Sequence, residues 1–151
     1  MTANSTKAIT SLTIQPITTS ATYTANRSWL ASLHGTDQTE TVTIDASKLT
    51  AGTHYVASTD SAQPYSRVLS GVPLGRITAS GLYGPYDPAA VDGRQVLAGL
   101  VFDETLFAPG QPKIPCALLW HGVARTAKIP GGIDPTKVTF SPAGGALIRF
   151  V

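Results

Sequence analysis

Three histidines at positions 34, 54 and 121, a single cysteine at 116, and the adjacent acids Asp103 and Glu104 are the residues of this chain best suited to chemistry. Histidines with a cysteine, histidine or carboxylate at ligand spacing would hold a transition metal. Here each histidine stands without such a neighbour in its own segment, so no metal site is expected. Acid–base work by a carboxylate pair would need a second acid brought to Asp103, with Asp87 and Asp92 as the candidates. A hydrolytic site built from Asp87, Asp103 and His121 would need those three side chains to converge, and nothing in their spacing requires it. Cys116 lies in the apolar run IPCALLWH with no second thiol for a disulfide or redox pair, and reads as a small buried hydrophobe. His121 follows Trp120 on the same run and reads as a packed or rim histidine. No GxSxG elbow, HExxH, GxxxxGKS/T or helix-opening GxGxxG is present. The expectation is a protein without catalytic, cofactor-binding or metal-binding residues.

Composition narrows the partners. Eleven Lys and Arg stand against nine Asp and Glu, and charged residues make up 13% of the 151 positions, about half the usual share of roughly 25%. The arginines at 27, 67, 76, 94, 125 and 149 are scattered rather than gathered into a basic stripe, which argues against nucleic acid. A surface so poor in charge suits a protein that covers much of itself with partners, because interface cores are depleted in charge. The start MTANSTKAIT lacks a charged opening followed by an apolar stretch, and no window approaches eighteen apolar residues. The chain is therefore expected to be made in a cytoplasm and to have no membrane contact.

The elements that must position these residues are mostly strands. Residues 1–26 are crowded with Thr and Ser and carry isolated apolar positions at Ile9, Leu12, Ile14 and Ile17, whose spacing fits neither a helical stripe nor a clean strand. They read as an extended arm able to add itself as a strand to a partner's sheet edge. Residues 27–151 read as one mainly β domain with little helix. Its expected strands are 40–45, 53–58, 66–70, 75–80, 94–102, 116–124 and 146–151, with KVTF at 137–140 a further short candidate. The runs 94–102 and 116–124 are almost continuously apolar and should be central. Pro109, Pro112 and Pro115 mark 104–115 as a long exposed loop. Helix is expected only around 28–33 and as a short turn opened by Asp87 and Pro88. The closing ALIRFV should tie the carboxyl-terminal end into the sheet.

The stretch SGLYGPYDPAAVDGRQ, residues 80–95, concentrates turn-formers beside Tyr83 and Tyr86. With its flanks it matches a recurring pattern at Gly75, Ile77, Thr78, Gly81, Tyr83, the run Pro85 to Ala90, Asp92, Gly93, Val96 and the run Ala98 to Leu100. In this pattern the chain closely resembles the lambda-type phage head decoration proteins. ETVTIDASKLTAG is similar to that family's first strand and turn, and ALLWHGVA and ALIRFV to later strands, so the resemblance covers about residues 28–151. The chain departs from it where Arg76 replaces a frequent lysine and Arg94 a small or acidic residue.

The resemblance implies a small β-barrel or β-tulip-like domain that forms homotrimers on the outside of an expanded capsid at three-fold positions. It would clamp the major capsid protein against DNA pressure, its localisation being the outer surface of the virion. The arm would add a strand to the capsid protein with Ile9, Leu12, Ile14 and Ile17 as apolar anchors. Tyr83 and Tyr86 would pack over their corner or contact a neighbouring subunit. A different reading is a virion-displayed host- or carbohydrate-binding module, in which Tyr83, Tyr86 and Tyr65 supply stacking faces.

Overall fold

The alternation in TETVTID, with Thr39, Thr41 and Thr43 on one face and Val42 and Ile44 on the other, produces the first long strand, β1 (Thr39–Asp45), which buries Val42 and Ile44. The computed structural model describes residues 24–141 and 145–151. The anchors Ile9, Leu12, Ile14 and Ile17 lie outside the described residues. After β1 come β2 (Tyr55–Val56), β3 (Ser66–Val68), β4 (Pro73–Arg76), β5 (Tyr83–Pro85), β6 (Val96–Leu97) and β7 (Gly99–Val101). They are followed by β8 (Thr105–Phe107), β9 (Lys113–Leu119), β10 (His121–Ala124), β11 (Thr139–Phe140) and β12 (Leu147–Phe150). Helical structure among the described residues is confined to three-residue 3-10 turns, so the protein is mainly β.

Pairing runs in a circuit β1–β5–β4–β7–β9 and back to β1. All links are antiparallel except β1 beside β5, a single parallel pair of Ile44 with Tyr83. The seven-residue β1–β9 ladder is the longest contact in this circuit. Around it lie the sheet β2–β3–β8 and the parallel pairs β10–β12 and β11–β6.

The period of two along β7 and β9 sorts their apolar runs into two cores. Val101, Leu118, Cys116 and Ile114 join Val42, Ile44, Val68, Val72 and Leu74 in one core. Leu100 and Leu119 face the other way and join Trp29, Ala124, Ile129, Ala146 and Ile148. β7 and the Leu118–Leu119 end of β9 are covered on both faces, which is why they read as continuous hydrophobic runs, while the first half of β9 leaves Lys113 and Pro115 exposed.

Several elements differ from the sequence expectation. The stretch 28–33 forms a turn and a bridge, Leu30 opposite Ala124, rather than a helix. Burial of Trp29 decides this: the residue is 1% exposed and its indole N–H donates to Ser70 Oγ at 3.0 Å. The Asp87 turn stops after one hydrogen-bonded turn, Ala90 N–H to the Asp87 carbonyl at 3.0 Å. The 94–102 run is split into β6 and β7, and 116–124 is broken at Trp120. The strand expected over 75–80 runs from Pro73 to Arg76 instead, because a turn begins at Thr78. The proline-rich stretch 104–115 is not one loop, since it contains β8 and the first half of β9, with Pro115 paired opposite Thr43. Ala117 turns its carbonyl to the Phe102 N–H, away from β1. By strand alternation Pro115 also points its missing N–H away from β1, at a level where β7 has already ended. The carboxyl-terminal stretch does form a strand, but β12 pairs with β10 alone, in a two-stranded parallel sheet outside the circuit.

Candidate functional site

The residues singled out for chemistry do not assemble. Asp87 accepts from the Ala89 N–H at 2.9 Å, Asp103 pairs with Arg27, and His121 packs its ring 5.0 Å from His34 and 5.7 Å from Trp120. No hydrogen bond joins Asp87, Asp103 and His121 to one another. His54 Nδ1 accepts from the Thr50 N–H at 2.9 Å, and burial pushes its pKa below the usual 6.5. Burial also pushes the Cys116 thiol up to about 12, which suits its place in the core. Among the described residues no group of three His, Cys, Asp or Glu is placed to hold a metal ion.

Asp103 and Glu104 have a task that the sequence alone did not assign. Arg27 donates to the Phe102 carbonyl at 3.3 Å, pairs with Asp103, and lays its guanidinium 4.3 Å from the Phe102 ring centroid. Glu104 accepts from the Asn26 N–H at 3.4 Å and pairs with Arg67. Arg125 adds bonds to the Ser28 and Leu30 carbonyls at 3.1 and 2.7 Å. The acidic pair at the exit of β7 thus fixes the point from which residues before Asn26 depart. The only sequence sign of this was the adjacency of two acids after a buried strand.

The 80–95 corner is a closed, cross-braced loop. Asp87 N–H reaches the Arg94 carbonyl at 3.1 Å, Thr78 N–H reaches Asp92 O at 2.9 Å, and Arg94 Nε meets the Asp92 carboxylate at 3.0 Å. Hydrogen bonds from the Arg94 backbone and side chain hold the Asp92 carboxyl below its usual range. A side chain at Gly75 would run into the Arg94 main chain, with a Cβ only 2.6 Å from its Cα, and a Cβ at Gly93 would come within 2.3 Å of the Arg76 carbonyl oxygen. These glycines are spaces for crossing backbones. Tyr86 donates to the Lys137 carbonyl at 3.2 Å and is half-buried, tying the corner to residues 135–137. Its pKa is raised, first by burial and then by the Asp134 and Asp87 carboxylates. The loop's apex, Val91, is 96% exposed.

Tyr83 leaves the corner in the other direction and lines an open groove of about 1140 Å³. Trp120, Phe140 and Leu147 are among the apolar residues lining this groove, and Glu40, Arg76, Gln95 and Arg149 among the polar ones. Burial, then the Glu40 charge, raises the Tyr83 pKa, and Arg76 opposes them. Tyr83 and Tyr86 are therefore not one patch: one belongs to the groove, the other to the brace. Trp120, Phe140 and Arg149 were not anticipated as neighbours of Tyr83, since they come from the turn between β9 and β10, from β11 and from β12. In comparisons with known proteins, no family model, curated protein or solved structure matches the chain.

Proposed function

We propose that this chain is a phage capsid decoration protein that binds as homotrimers to the outside of an expanded head and stabilises it, its amino-terminal arm adding a strand to the major capsid protein. The observation that carries the reading is the segment Gly75–Leu100. Its residues resemble the decoration-protein pattern, and Gly75, Gly93 and Gly99 stand where a neighbouring backbone leaves no room for a side chain. The root of the arm supports the same reading. Asn26 and Arg27 are held to β7's exit by Phe102, Asp103 and Glu104, so a load on the arm would reach a braced domain. Backbone pairing by a Thr-rich arm suits this task because it demands few side-chain pockets. Three arms acting together raise the avidity through effective concentration.

Removing residues 1–23, a cut that spares the Asn26 and Arg27 anchor, is expected to leave a folded trimer that no longer co-sediments with expanded heads. Normal head binding by the truncated chain would overturn the arm mechanism.

The carbohydrate-binding reading has one observation in its favour, the meeting of Tyr83, Trp120 and Phe140 in one groove. It expects the purified protein to bind an oligosaccharide and Trp120→Ala to abolish that binding while the fold persists. A glycan panel without binders removes it.

A further inference from the structure

The groove and the corner carry opposite features. Val91 stands at the apex of the corner with its side chain 96% exposed, beside exposed Pro88 and Ala89. The loop beneath it is held by the Asp87 N–H to Arg94 carbonyl bond at 3.1 Å and the Arg94–Asp92 pair at 3.0 Å, so little conformational freedom remains to be lost on docking. Asp87 has no cationic partner among the described residues. The groove is lined by Trp120, Phe140 and Leu147, the last 63% exposed, together with Arg76 and Arg149. Neither arginine has an ion-pair partner among the described residues, and Glu40 is the one carboxylate in the lining. An apolar knob with an unpaired carboxylate at its base and an apolar groove with two unpaired guanidiniums complement each other in both polarity and charge. Val91 is too exposed to touch the groove of its own molecule, so any pairing of these two surfaces is between molecules.

We propose that copies of this chain associate head to tail, the Val91 corner of one seated in the Arg76–Arg149 groove of the next. Two different faces meeting in this way generate a closed ring when the rotation closes, the symmetry a trimer requires. The inference rests on the trimer reading above and names its two surfaces.

Sedimentation velocity of the full chain tests it, with head pelleting as a separate arm. The wild type is expected to sediment as a trimer. Val91→Asp and Arg149→Glu change exposed side chains, so each is expected to keep the wild-type far-UV circular dichroism while weakening association by roughly tenfold or more. Mixed together, the two variants should give a dimer, because the Arg149→Glu copy keeps its corner and the Val91→Asp copy keeps its groove. A face that meets only itself would not produce that rescue. A monomeric wild type, an unaffected trimer in either variant, or variants that remain monomeric on mixing each overturn the inference, as does oligosaccharide bound in the groove of a monomeric wild type. Wild type that pellets with heads while Val91→Asp remains trimeric would leave the decoration reading standing and remove this one. A ring broken by both variants in a protein that ignores heads would do the reverse.

Discussion

A methyl group added at Gly75 would press on the Arg94 main chain, whereas one added at Gly81 meets only the tip of the Arg76 side chain at 3.4 Å. Gly81 is needed for its left-handed backbone, φ +73°, and Gly75 for its space. Gly75→Ala is therefore expected to cost about 1–3 kcal/mol in urea unfolding. Gly81→Asn should stay within about 1 kcal/mol of wild type, because asparagine tolerates that conformation. His54 supplies a pH test. Its ring is favoured neutral in the folded state by burial and by accepting the Thr50 N–H, so the unfolded chain takes the proton first. Its contribution to stability is complete above its ordinary value of 6.5 and declines as pH falls through the depressed folded value. Unfolding midpoints measured on either side of that value should show the decline, and His54→Asn, which keeps an acceptor without a titration, should flatten it. At this scale the left-handed turn at Gly81 and the burial of Cys116 were legible in the sequence, whereas Gly84, which reads as a turn-former, lies within β5 opposite Gly75. The reason for Gly75 was not legible, because its neighbour, the Arg94 backbone, arrives through a fold-level crossing rather than through local sequence.

At the scale of elements, what could be read depended on how far each strand kept its own grammar. β1 alternates cleanly and its bounds differ from the expected ones by one residue at its start. β5, with the sequence YGP, carries two strand-breaking residues and is held by tertiary pairing to β4. No periodicity could have signalled it. The helix expected at 28–33 gives way because Trp29 gains more from the core, where Ser70 Oγ takes its indole N–H and donates to the Phe102 carbonyl at 2.7 Å. Ser70→Ala strands that N–H and should lower stability by about 1–3 kcal/mol, a loss read as a shifted urea midpoint with unchanged slope. Pro115 lies within a ladder because its missing donor points off the end of β7. Pro115→Ala is accordingly expected to change stability by no more than about 0.5 kcal/mol, measured the same way.

For the whole molecule, β7 and β9 form one wall with a core on each side. The mainly β class and the central position of these two strands were legible from composition and from their continuous apolar runs. The closed order of the ring was not, since β4, β5 and β7 meet through pairings that no local pattern encodes. Leu100→Ala, which empties a site on one face of the wall, is expected to cost about 2–5 kcal/mol. It should still give a single calorimetric transition, because neither core keeps its boundary without the shared strands. Separate transitions for the two halves would contradict this. The same wall ends at Phe102, where Arg27 and Asn26 are fastened to Phe102, Asp103 and Glu104. Tension applied to the chain before residue 26 therefore enters the molecule at the exit of its most deeply buried strand rather than at a peripheral hairpin. In mechanical terms, the domain is loaded where its two cores share a boundary, so the anchor can yield only after a polar clasp of modest strength has opened, which would act as a fuse ahead of the fold.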